Sequence, residues 1–162
     1  MANYLYGKNY VGSLAAAQTL PNATTDDSTN MVYVGGKTGG RLWIDVYANN
    51  AVEIATGQAF NIEFESYSAD TASSAIAPFS TGNLGGRCKS GEATEETTAH
   101  YYILHKTDAD DECAFVAGDL MTQMAIPEDL LHALGHTYVQ LKYTSDADES
   151  ADKIDAFVYS KV

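Results

Sequence analysis

Apolar and polar side chains alternate along short segments of this chain from residue 31 onward. The clearest case is segment 41–47, RLWIDVY, in which Leu42, Ile44 and Val46 occupy every second position. Segment 60–65, FNIEFE, repeats the pattern with a phenylalanine or isoleucine at every second residue. A period of two is typical of antiparallel strands that bury one face and expose the other. These segments are therefore predicted to be strands of a half-buried sheet.

Further short apolar runs, separated by turn-forming residues, are also predicted to be strands. They cover residues 31–34, 101–105, 113–116, 120–126, 138–144 and 154–160. The total is about eight strands. One short helix is predicted over 127–135, because Pro127 stands in its first turn and Gly135 follows its last. The fold class predicted is all-β, an antiparallel β-sandwich or jelly roll with one short helix.

The first thirty residues lack this alternation and are small and polar, with three tyrosines at positions 4, 6 and 10. We predict an extended N-terminal arm over residues 1–30 and a single β-domain over residues 31–162. The competing interpretation is a frayed terminus with a short edge strand. A length of 162 residues agrees with one domain that needs no metal or disulfide to stabilise its core.

The charge balance limits the kinds of partner. The chain has 22 acidic and 9 basic residues, for a formal net charge of -13 at pH 7. This charge repels phosphate backbones and anionic lipids, so neither nucleic acid nor a membrane is a predicted partner. The N-terminal segment does not combine a basic region with an apolar one as a secretory signal does, so synthesis in the cytoplasm is predicted.

No residue pattern points clearly to catalysis or to a cofactor. His132 and His136 are four residues apart, but Ala133 stands where the zinc motif HExxH has glutamate. The acidic clusters at 108–112 and 146–152 are predicted to be solvated loop tips, with calcium binding as the alternative. We therefore predict no catalytic residue, no metal and no cofactor. An enzyme that uses histidine and carboxylates is a minor alternative, and would need a concave pocket.

The two cysteines, Cys88 and Cys113, do not have the spacing of a metal site. Because no export signal is visible and reducing compartments disfavour disulfides, two free thiols are predicted. A disulfide between them is the alternative.

Four groups of segments follow one another in an order that suggests a family. They are AQTL at 17–20 with STNMVYVG at 28–35, LWIDV at 42–46 with FNIEFE at 60–65, AIP at 125–127 with YVQLKY at 138–143, and KIDAFV at 153–158. In this order the chain resembles the tailed-phage capsid cement, or decoration, proteins typified by the jelly-roll cement protein of a Bordetella phage. It departs from them at Thr137 and Gln140, where arginines are usual, and in an apparent insertion at 80–98.

The resemblance implies a mechanical function on the outer surface of a virion. Copies would bind the mature capsid and bridge neighbouring major capsid protein subunits against the pressure of the packaged DNA. The implied partners are the major capsid protein and neighbouring copies of this chain. The candidate contact residues are the arm tyrosines with two aromatic anchors, namely Tyr4, Tyr6, Tyr10, Trp43 and Tyr47. For Trp43, packing inside the fold is the competing interpretation.

The aromatic residues also allow a second class of function. A carbohydrate-binding β-sandwich on a virion or cell surface would stack aromatic rings on sugars. It predicts coplanar rings on one exposed face, with polar groups nearby for sugar hydroxyls. Because β-sandwiches serve both kinds of function, the fold alone does not separate them.

Overall fold

The computed structural model describes residues 8–35, 41–54, 60–68, 76–80, 102–103 and 113–161. Within these ranges the chain forms twelve strands and one helix. The strands are β1 (Lys8–Thr19), β2 (Thr25–Asp27), β3 (Val32–Tyr33), β4 (Leu42–Ala48), β5 (Val52–Ile54), β6 (Phe60–Tyr67), β7 (Ile76–Ser80), β8 (Tyr102–Ile103), β9 (Cys113–Phe115), β10 (Leu120–Ala125), β11 (Tyr138–Ser145) and β12 (Lys153–Lys161). The helix, α1, spans Glu128–Leu134.

The strands form two larger sheets and one small one, all with antiparallel pairing. The first has five strands in the order β1-β12-β4-β10-β8. The second has the order β2-β11-β6-β7, and β3 also pairs with β11. Strands β5 and β9 pair separately. The predicted all-β, antiparallel fold with one short helix is confirmed, while the jelly-roll connectivity stays a prediction.

The apolar faces of both larger sheets contribute to one core. Ile44 and Val158 from the first sheet belong to the same buried cluster as Phe64 and Leu141 from the second. Burying a large apolar side chain of this kind contributes roughly 1.5–3 kcal/mol. The period-two pattern that predicted β4 and β6 is therefore the pattern of residues that fill the space between the sheets.

Helix α1 begins and ends where Pro127 and Gly135 predicted. Gly135 has a φ of 70°, and its N–H donates to the carbonyl of His132 at 3.1 Å. The next N–H, of His136, donates to the carbonyl of Leu131 at 2.9 Å. These two bonds satisfy carbonyls that the last turn leaves open, and glycine adopts this left-handed conformation without strain. No helix within the described ranges is long and apolar enough to cross a membrane.

The N-terminal segment departs from the predicted arm. Residues 8–19 form β1, which pairs along β12 at the edge of the first sheet, and Leu14, Ala15 and Leu20 are buried in the fold. The described part of residues 1–30 therefore belongs to the sandwich, and the predicted boundary at residue 30 is wrong for it. The competing interpretation, an edge strand, is the one observed from residue 8 onward. Tyr4 and Tyr6 lie outside the described residues.

Irregular pairing explains why the alternation is hard to see in β1. Its register against β12 shifts at three places, between Tyr10 and Gly12, between Ser13 and Ala15, and between Ala15 and Gln18. Each shift resets which face a side chain occupies, so a period of two does not persist along the segment. Such bulges are common at sheet edges, where they hinder pairing with other chains.

Several predicted elements have other limits in the structure. The segment 31–34 contributes only Val32–Tyr33, and the segment 101–105 is described only at Tyr102–Ile103. Strands β2, β5 and β7 were not predicted. Cys88 lies outside the described residues, and only the backbone of Cys113 is described, so the predicted free thiols stay a prediction.

Candidate partner-contact surface

The outer face of the first sheet carries two of the predicted contact residues. Successive side chains of a strand point to opposite faces, so Trp43, Asp45 and Tyr47 lie opposite the core residues of β4. The register of β12 places Tyr159 beside Trp43 and Phe157 beside Asp45. This face of the central strands therefore combines aromatic and polar side chains, of which Asp45, Tyr47 and Tyr159 are buried.

A buried carboxylate, Asp45, lies at the centre of this face. The Tyr47 hydroxyl donates to its Oδ2 at 2.9 Å, and the Tyr159 hydroxyl donates to its Oδ1 at 3.0 Å. Gln123 Nε2, from β10, donates to the same Oδ1 at 2.8 Å. Donors from three strands compensate for removing this group from water, as a buried carboxylate requires.

The electrostatics of this cluster keep the Tyr159 phenol protonated. Burial raises the pKa of Tyr159 far above its ordinary value, and the neighbouring charge of Asp45 raises it further. Tyr159 therefore stays a hydrogen-bond donor at any physiological pH. Tyr47 is bound into the same cluster and is buried, so its hydroxyl is committed to Asp45 and not presented to a partner. This position differs from the contact role predicted for Tyr47.

Trp43 is neither fully inside nor freely exposed. Its ring lies beneath two cations, with Lys161 Nζ 4.1 Å and Arg41 Cζ 5.6 Å from the ring centroid. Cation–π contacts at exposed sites contribute about 0.5–1 kcal/mol each. The two side chains make this end of β4 locally basic on a strongly acidic protein. Neither Arg41 nor Lys161 was predicted from the sequence to contact Trp43.

Tyr10 is the predicted contact residue that the structure presents to solvent, with 53% of its surface exposed. It stands on the edge strand β1 and packs its ring edge-on against Phe157, with centroids 6.3 Å apart. Phe157 in turn lies against Tyr47, at a centroid distance of 6.5 Å. An aromatic row therefore runs from the sheet edge to its centre, with Tyr10 at the exposed end.

Other exposed apolar residues were not predicted. Tyr33 is also 53% exposed and packs edge-on against Tyr138, with ring centroids 5.3 Å apart. Leu130 and Leu134 are exposed on α1, whereas Leu131 between them is buried. Alternation could have identified Tyr33, because it follows the buried Val32 in β3. The exposed side of α1 depends on how the helix packs, which local pattern does not specify.

The two histidines of the predicted helix region line one cavity beside α1. The cavity has a volume of about 270 Å³, and its lining includes Glu128, Asp129, His132 and His136. His136 is buried, and its Nδ1 lies 2.9 Å from the Ser66 hydroxyl, while Glu128 Oε1 accepts the Leu42 N–H at 2.9 Å. Among the residues that the structure describes, no group of three or more histidine, cysteine or acidic side chains is arranged to hold a metal ion.

The acidic loop at 146–152 is only partly the solvated tip that was predicted. Asp146 and Asp148 are exposed, and Asp148 accepts hydrogen bonds from the Ser150 N–H and hydroxyl, which lower the pKa of Asp148. Glu149 instead points inward and is buried. The prediction is therefore wrong for Glu149. The other acidic cluster, at 108–112, lies outside the described residues.

No protein-family model matches this chain, and no curated protein matches it significantly. The function is therefore inferred from the residues and segments of this chain.

Proposed function

We propose that this protein is a structural virion protein that binds the outer surface of a mature phage capsid and stabilises neighbouring major capsid protein subunits. The resemblance of its ordered segments to cement proteins motivates the proposal, and the all-β fold is compatible with it. The single observation that supports it best is the exposed Tyr10 at the end of an aromatic row on the edge strand β1.

Exposed tyrosines are effective contact residues. Tyrosine offers a large ring with a polar tip at a low cost in conformational entropy, and it is enriched among residues that dominate binding energy. Phe157 supports the Tyr10 ring from behind, so less freedom is lost when a partner covers it. A stable contact buries about 1,000 Å² or more, so Tyr10 would act as an anchor within a larger surface.

The charge of the protein favours an outer position. A net charge of -13 is repelled by packaged DNA, whereas a protein outside the shell need not approach it. Next to Trp43, Arg41 and Lys161 form a small basic region on this acidic protein. Trp43 therefore remains a second candidate anchor, and an acidic or aromatic partner surface would suit it.

The test is co-sedimentation with expanded capsids that lack this protein, with unexpanded procapsids as the comparison. We expect saturable binding to expanded capsids at a fixed ratio to the major capsid protein. Tyr10→Ser should weaken this binding by about tenfold or more, as expected for an aromatic anchor. Tyr33→Ser is the matched control, because Tyr33 is equally exposed but lies on the second sheet.

Absence of binding to expanded capsids at any salt concentration would contradict the proposal. If Tyr10→Ser and Tyr33→Ser weaken capsid binding equally, capsid binding would remain the proposed function, but Tyr10 would not be its anchor. The carbohydrate-binding alternative would then be tested on a glycan array. Its requirement for coplanar rings is not favoured by the described ring pairs, whose interplanar angles are 63°, 65° and 50°.

A further inference from the structure

The loop that joins β11 to β12 is held against residues 20–23 by backbone hydrogen bonds. The Leu20 N–H donates to the carbonyl of Asp152 at 2.9 Å, and the Ala23 N–H donates to the carbonyl of Ala147 at 2.8 Å. In the opposite direction, the Glu149 N–H donates to the carbonyl of Pro21 at 3.2 Å. The loop therefore fixes the chain where it leaves β1.

The side chain of Asp152 extends this connection to β5. Its Oδ2 accepts the Glu53 N–H at 3.2 Å. Nearby, Asn50 donates to the carbonyl of Ala151 at 2.9 Å and accepts the Lys153 N–H at 2.6 Å. Residues 146–152 thus join the exit of β1, the start of β12 and the beginning of β5.

Glu149 lies inside this junction without a donor for one of its oxygens. Its side chain is only 3% exposed, and its Oε1 is buried and receives no hydrogen bond. Among its neighbours, the carboxyl group of Asp152 does most to raise the pKa of Glu149, through its charge and through a side-chain hydrogen bond. Two carboxylates in contact cannot both stay ionised without a large cost, whereas one proton between them makes a hydrogen bond.

Other acidic residues near Glu149 and Asp152 increase the free-energy cost of ionising both carboxyl groups. Asp146 and Asp148 act from the same loop, and Glu53 acts from β5. Residues 20–23, the third packed segment, have no ionisable side chain, and Lys153, the next residue in the chain, is exposed to solvent. Burial first, and Asp152 second, raise the pKa of Glu149 from 4.5 to about 7. Burial also raises the pKa of Asp152, although the Glu53 N–H opposes this change.

We propose that Glu149 and Asp152 share one proton, and that this proton makes the β11–β12 loop a pH-sensitive latch on residues 20–23 and β5. The latch is strongest in mildly acidic solution. When the loop opens, Glu149 enters water and recovers its ordinary acidity, so the open state releases a proton that the closed state keeps.

The direction of the pH dependence follows from this linkage. Between pH 4.5 and about 7 the closed loop binds more protons than the open one, because the pKa of Glu149 is raised in the folded protein. Stability is therefore fully present below this window and declines as the pH rises through it. Above about pH 7 both states are deprotonated and the decline levels off.

The test is hydrogen exchange of the Leu20, Ala23 and Glu149 amides across pH 5 to 8, with rates corrected for intrinsic exchange. For one linked proton, we expect the opening constant to rise by up to about tenfold per pH unit until it levels off near neutrality. Glu149→Gln keeps the shape of the side chain but cannot lose a proton. It should therefore remove the pH dependence of the opening constant. Asp146→Asn removes an exposed charge from the same loop and should keep the pH dependence.

A second measurement remains available if Glu149→Gln does not fold. Carbon NMR of selectively labelled glutamate carboxyls in the unmodified protein should show Glu149 titrating near neutral pH, apart from the other glutamates. A midpoint for Glu149 at its ordinary value would overturn the proposal, as would matching exchange profiles for the unmodified protein and Glu149→Gln. Calcium chloride that closes the loop at pH 8 only when Glu149 is present would also overturn it, in favour of a cation site. All these outcomes are independent of capsid binding.

Discussion

Two buried glutamates of this protein illustrate opposite ways to keep a carboxyl group out of water. Glu65, in β6, is 2% exposed, and Glu149, in the β11–β12 loop, is 3% exposed. Lys142 Nζ donates to one oxygen of Glu65, and the Tyr67 hydroxyl donates to the other. Glu149 has no such donor at Oε1 and faces a second carboxyl group instead. The two groups therefore differ in their supply of hydrogen-bond donors and not in their burial.

The sheet explains how Glu65 obtained its donors. Lys142 lies opposite Glu63 in the β6–β11 register, which places its long side chain within diagonal reach of Glu65. Tyr67 follows Glu65 by two residues and so shares its face. The hydrogen bond to Glu65 is the main cause that raises the pKa of Lys142. The loop at 146–152 contains four acidic residues and no basic one, so it offers Glu149 no equivalent partner.

The largest effect is expected when the paired glutamate loses its cation. Lys142→Met leaves Glu65 buried with only its tyrosine donor, and should lower the free energy of unfolding by about 3 kcal/mol. Urea unfolding at pH 7 measures this change. Lys153→Met is the matched control, since Lys153 is exposed, and should change stability by less than about 0.5 kcal/mol. Equal losses in the two variants would show that the buried pair has no special importance.

The next test applies the same neutral substitution to both glutamates at pH 8. Glu65→Gln weakens hydrogen bonds made by a charged group and should lower the free energy of unfolding by about 2 kcal/mol. Glu149→Gln removes an uncompensated buried charge and should raise it by about 1 kcal/mol. Denaturant unfolding of both variants measures the two changes in the free energy of unfolding. Changes of the same sign would contradict the proposed difference between Glu65 and Glu149.

The smallest effects concern two buried tyrosines of the sandwich. The Tyr159 hydroxyl donates to Asp45, whereas the buried Tyr143 hydroxyl makes no hydrogen bond. Tyr159→Phe should therefore cost about 1 kcal/mol, because Asp45 loses one of several donors. Tyr143→Phe removes a hydroxyl without a partner and should be neutral or slightly stabilising. Thermal unfolding of the two variants distinguishes them, and a larger loss for Tyr143→Phe would contradict this account.

Much of the fold was predictable from local pattern. The alternation in 41–47 and 60–65 identified β4 and β6, and Pro127 with Gly135 gave the limits of α1. Strand β1 was foreseen only in the alternative of a short edge strand, because its three register shifts interrupt the period of two. Strands β2 and β5, with three residues each, are too short for a periodic signal.

The candidate contact surface was only partly predictable. Tyr10 is exposed as a contact residue must be, but Tyr47 is buried within the Asp45 cluster. No local signal distinguishes these two tyrosines. Tyr47 donates to Asp45 within β4, but the other donors to Asp45 come from β10 and β12, which join β4 only when the sheet forms.

The sequence alone is enough to predict the all-β character, the positions of the central strands, the helix limits and the strong negative charge. Each of these depends on residue type and short-range spacing, which act before any long-range contact forms. Long-range packing, in contrast, sets which carboxyl groups are paired, which must hold a proton, and which aromatic side chains stay in solvent. Those outcomes depend on side chains far apart in the chain, such as Asp45 and Tyr159, which are 114 residues apart, because sheet pairing alone brings their atoms within hydrogen-bond distance.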